Sequence, residues 1–139
     1  MNRTADQRAY FAVNIILAGV ILLIMGYSAF YSPEENKYPV VCIHEKLTGE
    51  QCPSCGLSHA FSLIIRGRTD EALLLNSSSL RVFLFFALQL FMRLGIGVRN
   101  LMTGRWLKQT AWADVLVSSA MAFYAFYPFL RALWTGLFL

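Results

Sequence analysis

Charged residues are scarce in this 139-residue chain, where Asp, Glu, Lys and Arg together make up 14%. Ordinary globular proteins contain roughly 25% of these residues. A soluble protein of this size needs charged side chains to cover its surface. Apolar residues, by contrast, reach 57% and are gathered in long runs. The scarcity of charge excludes a soluble globular domain and indicates a small integral membrane protein.

The patterns that accompany catalysis and transport are also lacking. The sequence has no glycine-rich phosphate-binding loop and no Ser-His-Asp set. Three predicted spans are few for a transporter, which usually builds its site between repeated units. The net charge of +4 comes from basic residues strung between and beside the apolar runs. That arrangement is typical of membrane topology signals, so we expect no nucleic-acid partner and a non-enzymatic role.

Three apolar runs predict an all-α membrane protein with three transmembrane helices. About 20 apolar residues, each rising 1.5 Å, cross a hydrocarbon core of about 30 Å. The three predicted spans are residues 10–31, 80–100 and 112–134. A long loop, 32–79, joins the first two, and a basic loop, 101–111, joins the last two. Short tails, 1–9 and 135–139, lie at the two ends. The long loop contains two short helices, one at 60–65 and one that follows an N-cap at Thr69. Basic residues are densest in the first tail and the basic loop, which predicts an inside N-terminus and an outside long loop.

Polar residues inside the predicted spans are few. Arg93 carries an insertion cost of about 2.5–3.5 kcal/mol near a bilayer centre. Either it snorkels toward Arg99, or it has an internal partner, a lipid phosphate or a subunit contact. Gln89, one turn earlier on the same face, would share that partner, and Asn14 is expected to join two helices. Asp114 is interpreted as a residue at the membrane end of the third span.

Small residues recur every seven positions in the first span, at Ala12, Gly19 and Gly26. This spacing places them on one helix face. Small residues allow helices to approach closely in lipid. We therefore expect this face to pack against another helix.

All three cysteines lie in the long loop, as Cys42 and the CPSCG pair Cys52 and Cys55. In such a knuckle Pro53 restricts the backbone and Gly56 permits a left-handed turn. Three alternatives remain open: a structural disulfide or buried thiols, a metal site, and a redox pair. A zinc site would use the three cysteines and one histidine, either His44 or His59.

The stretch from Cys42 through CPSCGLSHAF to Arg66-Gly67 resembles domain of unknown function 2752, a family of small bacterial membrane proteins. The family pattern reads approximately T-G-x-x-C-P-x-C-G-x-T-R-A and ends later in Asn-Pro. The positions that support the resemblance are Thr48, Gly49, Pro53, Gly56 and Ser58. This chain has His59 in place of the family's arginine and Asn76-Ser77 in place of Asn-Pro. Histidine is titratable and lacks the arginine fork, so an anion contact at this position does not carry over.

The resemblance implies a bacterial inner membrane, and hence a cytoplasmic N-terminus and a periplasmic cysteine loop. It implies no reaction. We expect an accessory or structural subunit of a larger membrane complex, which contacts lipid and other membrane subunits through its spans and its cysteine loop. The alternative is a thiol-redox or metal-binding membrane protein that uses the CPSCG motif.

Overall fold

The computed structural model describes residues 3–30, 56–103 and 108–137. They form five helices: α1 (Arg3–Phe30), α2 (Leu57–Ile65), α3 (Thr69–Leu75), α4 (Ser79–Thr103) and α5 (Lys108–Leu137). Three stretches are long and apolar enough to cross a membrane: Gln7–Phe30, Ser79–Arg99 and Gln109–Thr135. The predicted all-α fold, with three spans and two short helices in the first loop, is confirmed.

Helix α4 lies at the centre of the bundle. It packs against α1, α5 and both short helices. Within the described ranges, α4 is the only helix whose backbone lies close to that of α5. Large apolar side chains point outward from all three long helices, with Leu23, Phe91 and Leu116 exposed by 74%, 72% and 67%. Such side chains are stable in contact with hydrocarbon and not with water. The described surface therefore fits a protein solvated by lipid.

Helices α2 and α3 form a hairpin that is closed by a glycine. Gly67 has a φ of 78°, and its N–H donates to the Ile64 carbonyl while Arg68 N–H donates to Leu63. This pair of bonds is the Schellman arrangement that satisfies carbonyls at the end of a helix. The hairpin core contains Leu63 and Ala72, both buried. We refer to α2 and α3 together as the helical hairpin.

The start of α3 differs from the sequence prediction. The N-cap is Arg68, and Thr69 is the first residue within the helix, so the predicted Thr69 cap is wrong. Arg68 instead donates two hydrogen bonds of 2.6 Å to the Glu71 carboxylate, which lowers the pKa of that carboxyl. The first turn of α3 is thus contacted by the Arg68 side chain, through an ion pair with Glu71 on the helix surface, and not by a threonine hydroxyl.

Asn76 controls the turn from α3 into α4. Its Oδ1 accepts a hydrogen bond of 2.9 Å from the Ser78 N–H. The Ser79 hydroxyl donates at 3.2 Å to the carbonyl of Ala72, one turn before the end of α3. The first of these buried bonds pairs a backbone N–H at the start of α4, and the second ties the Ser79 side chain back to α3.

The helical hairpin is attached to both neighbouring spans. Arg66 donates a hydrogen bond of 3.0 Å to the carbonyl of Ala29, in the last turn of α1. The Phe61 ring of α2 meets Phe83 and Phe86 of α4 edge-on, with centroids 5.5 and 6.0 Å apart. The hairpin therefore closes the end of the bundle where α1 ends and α4 begins.

Within the described residues, the buried side of α1 differs from the side that carries its small residues. Its buried residues are Asn14, Ala18, Ile21 and Ser28. Ala12 is exposed, and a Cβ built at Gly19 or Gly26 would meet no atom of the described residues within 4 Å. Packing of this small-residue face against another helix stays a prediction.

We predict opposite effects for two glycine-to-alanine changes. Gly67→Ala should lower the free energy of unfolding by about 1–2 kcal/mol, because L-residues resist the left-handed conformation. Gly95→Ala, within α4 and with open space around it, should raise it by about 0.5–1 kcal/mol, because alanine favours helix. Unfolding by SDS in mixed micelles measures both. A neutral Gly67→Ala would contradict the glycine-closed hairpin.

Candidate functional site

Six polar side chains meet between the three long helices and form the candidate site, which we call the polar cluster. Each helix supplies two of them, four residues apart and hence on one face. The members are Tyr10 and Asn14 of α1, Gln89 and Arg93 of α4, and Asp114 and Ser118 of α5.

The centre of the polar cluster is an ion pair between Arg93 and Asp114. The Arg93 Nη1 and Asp114 Oδ2 atoms are 2.5 Å apart, and the two side chains are exposed by 10% and 3%. Nη1 also donates to Asn14 Oδ1 at 2.9 Å. The other terminal nitrogen, Nη2, donates to Gln89 Oε1 at 3.1 Å and to Ser118 Oγ at 3.0 Å.

Asp114 is held by the two outer helices as well. The Tyr10 hydroxyl donates to its Oδ2 at 2.7 Å, and the Ser118 hydroxyl donates to its Oδ1 at 3.3 Å. Asn14 Nδ2 donates to the Tyr10 carbonyl at 2.8 Å, which orients the Asn14 oxygen toward Arg93. Side chains thus join α1 to α5, although the two helices make no close backbone contact in the described ranges.

The polar cluster lies within the three apolar stretches, toward the N-terminal end of α1. At 1.5 Å per residue, Asn14, Arg93 and Asp114 lie about 7–11 Å inside the nearest ends of their spans. In a low-dielectric medium an unpaired guanidinium or carboxylate would be strongly destabilised. The two opposite charges neutralise each other there, and the surrounding amides and hydroxyls bond to both terminal nitrogens of Arg93 and to both oxygens of Asp114.

Two interpretations of the sequence need correction here. Arg93 does not snorkel, because both terminal nitrogens contact buried partners within the bundle. Asp114 is not a residue of the membrane end, because it is buried and paired across the helix interface. Gln89 and Asn14 do contact the same partner, Arg93.

Two buried donors of the polar cluster, Arg93 Nε and Gln89 Nε2, have no acceptor among the described residues. The other donors and acceptors described above contact one another. The arrangement holds the three helices together through neutralised charge and contains no free base or nucleophile. The polar cluster therefore serves to hold the helices together.

The cysteine motif ends where the described helical hairpin begins. Gly56 has a φ of 74° and caps α2, as the knuckle pattern predicts for this glycine. A Cβ built on Gly56 would lie 3.7 Å from the Leu75 carbonyl oxygen, so this glycine is close to the end of α3. His59 lies in the first turn of α2 and is half-buried, and Ser58 beside it is exposed.

The other motif residues lie outside the described residues, so their roles stay predictions. They are Cys42, His44, Thr48, Gly49, Cys52, Pro53 and Cys55. Within the described ranges, no group of three or more His, Cys, Asp or Glu residues is arranged to hold a metal ion.

The central part of the chain is similar to a known protein family. Residues 42–90 match the family described as protein of unknown function, DUF2752. The family resemblance is confirmed. The match runs from the first cysteine into α4, includes Gln89 and stops before Arg93, so the polar cluster rests on the contacts of this chain. No curated protein and no solved structure is detectably similar to it.

Sequence reasoning missed Tyr10, Asp114 and Ser118 as members of the polar cluster. A signal was present, because Asp114 and Ser118 repeat the four-residue spacing of Gln89 and Arg93 on the next span. Consecutive spans are antiparallel, and both pairs lie within a few turns of the loop that joins them. Opposite charges at similar depth on adjacent spans therefore predict an ion pair.

We predict strong coupling between Arg93 and Asp114. Arg93→Ala or Asp114→Ala alone should lower the free energy of unfolding by about 2–4 kcal/mol, because each leaves a buried charge unpaired. The double variant should lose less than the sum of the two. A thermodynamic cycle of SDS unfolding measures this coupling.

Ser118→Ala is the matched control, because it removes a neutral partner of the same cluster. Its expected loss is near the average of about 0.6 kcal/mol for a hydrogen bond between membrane helices. Additive effects of the two charged substitutions would contradict the ion pair.

Proposed function

We propose that this protein is a small structural subunit of a larger assembly in the bacterial inner membrane. Its N-terminus is cytoplasmic and its cysteine loop periplasmic. It docks through its spans, and the cysteine loop adds a second contact. The observation that carries the proposal is the small-residue face of α1, where Ala12 is exposed and a Cβ built at Gly19 or Gly26 would meet no atom of the described residues within 4 Å.

Large apolar side chains on the outside of a span are satisfied by lipid, but small ones offer little surface to lipid. They let a second helix approach closely, and van der Waals contact then supplies the attraction. The packing face of α1 within the chain lies elsewhere, on Asn14, Ala18 and Ile21. The small-residue face is thus available to a helix of another subunit.

The polar cluster supports a structural role. Arg93 and Asp114 neutralise each other and are bonded within the chain. Buried charges that serve transport usually line a water-filled path or exchange partners. Charges locked in a network instead fix the arrangement of helices. The bundle therefore suits a subunit that presents fixed surfaces to its neighbours.

We predict that Gly19→Leu separates folding from assembly. A Cβ at Gly19 would meet no atom of the described residues within 4 Å, so the free energy of unfolding should change little. A partner helix would be excluded by the added side chain, so the native complex should lose this subunit. Native electrophoresis and co-purification in mild detergent measure the change.

Gly95→Leu is the matched control, since it adds the same side chain at an open glycine of α4, off the small-residue face. It should leave the complex intact. A complex of unchanged size with Gly19→Leu would contradict docking through this face. Wild-type protein that migrates only as a 15.7 kDa monomer from native membranes would contradict the proposal itself.

The second candidate function is thiol-redox or metal binding through the CPSCG motif, with zinc as the candidate metal. One observation favours it: Gly56 adopts the left-handed turn of a knuckle, directly before the N-terminus of α2, with His59 in the first turn. A helix N-terminus stabilises a thiolate or a metal ligand of negative charge. The ligands would be Cys42, Cys52, Cys55 and a histidine.

We predict that the paired substitution Cys52→Ser and Cys55→Ser reduces assembly of the complex, because the loop contact depends on the knuckle. Metal analysis of wild-type protein from native membranes distinguishes the two functions. The structural role predicts no stoichiometric metal. One zinc per chain, lost in the serine variant, would favour the second candidate function.

A further inference from the structure

The C-terminal end of the helical hairpin, outside the three spans, carries an exposed apolar surface. Leu73, Leu74 and Leu75 close α3, and they are exposed by 38%, 88% and 46%. We call these three residues the leucine end of α3. A run of exposed leucines costs free energy in water, at about 25 cal/mol for each Å² of apolar surface. It therefore indicates a surface that meets something apolar.

The position of α2 shows where the leucine end of α3 lies relative to the ends of the membrane spans. One end of α2 is tied to α1 near its last residue, through Arg66 and the Ala29 carbonyl. The other end, at Gly56, lies near Leu75, four residues before the span of α4 begins. Both ends of α2 thus lie at the boundary of the apolar spans.

The middle of α2 faces into the bundle. The Phe61 ring contacts Phe83 and Phe86, which lie about 6 and 10 Å beyond the start of α4 at 1.5 Å per residue. A helix with both ends at the boundary and an inward aromatic side chain lies along the membrane surface. The leucine end of α3 therefore lies at the membrane boundary, a few residues before the span of α4 begins.

The charges around this level suit phospholipid headgroups. Arg66 and Arg81 are exposed, and Arg68 is paired with Glu71. Asp70 is the remaining acid of the hairpin, so among the described residues of the hairpin and the first turn of α4 there are three arginines and two acids. Basic residues at the edge of a bilayer attract anionic phosphates.

We propose that the leucine end of α3 inserts among the acyl chains of the adjacent leaflet, with phospholipid as its partner. The helical hairpin is then a half-inserted interfacial element. Because Gly56 lies against Leu75, the C-terminal end of the CPSCG motif is held at the lipid surface. This proposal is independent of the assembly proposed above, since it concerns lipid and not a protein neighbour.

Photo-crosslinking in native membranes tests the proposal. p-Benzoylphenylalanine is placed at position 74, where the exposed side chain tolerates its bulk, and adducts are identified by mass spectrometry of the intact chain. Position 23, on the exposed side of the α1 span, serves as the lipid-facing control. Position 70, at the acidic start of α3 and also exposed, serves as the water-facing control.

Insertion predicts phospholipid adducts at position 74 at a level close to that of position 23 and severalfold above that of position 70. A level equal to that of position 70 would place the leucines in water and overturn the proposal. An adduct of position 74 with a polypeptide would also overturn it, because a protein would then cover the surface.

Discussion

The arrangement of the spans depends on the need of one buried arginine for a carboxylate. Hydrocarbon offers Arg93 neither water nor a counter-ion, so its insertion is favourable only if the chain supplies both a charge and hydrogen-bond acceptors. Asp114 supplies the charge, while Asn14, Gln89 and Ser118 supply acceptors. Because these residues come from all three long helices, satisfying Arg93 also sets how α1, α4 and α5 pack. The bundle cannot separate without exposing charge to lipid.

The opposite end of the bundle is joined by apolar contacts. Aromatic rings connect the helical hairpin to α4 through Phe61 and Phe86, and α4 to α5 through Phe85 and Phe126, whose centroids are 5.5 Å apart. Such contacts are short-ranged and need no desolvation of charge. The polar cluster therefore gives the packing its specificity, and the aromatic contacts hold the hairpin over the far end. The bundle is thus joined at both ends, by polar contacts at one end and by aromatic contacts at the other.

The spans and the helical hairpin could be predicted from the sequence, because length, hydropathy and glycine placement are local properties. The polar cluster could not be predicted in full, because Arg93 contacts residues that are distant in the sequence. Asn14 is 79 residues away from it and Asp114 is 21 residues away. Asp114 borders an apolar run, and from the sequence pattern alone such a residue is expected at the end of a membrane span. The partner of the small-residue face of α1 could not be predicted either, since a heptad of small residues indicates that a helix contact is favourable without identifying the chain that makes it.

The pairing of Arg93 with Asp114 can be measured directly by solid-state NMR of the protein in lipid bilayers. With ¹⁵N in the arginine guanidinium and ¹³C in the aspartate carboxyl, the ion pair predicts a through-space cross-peak that disappears in Arg93→Lys. The aspartates are only Asp6, Asp70 and Asp114, so assignment is straightforward. A spectrum without any cross-peak that depends on Arg93 would contradict the account.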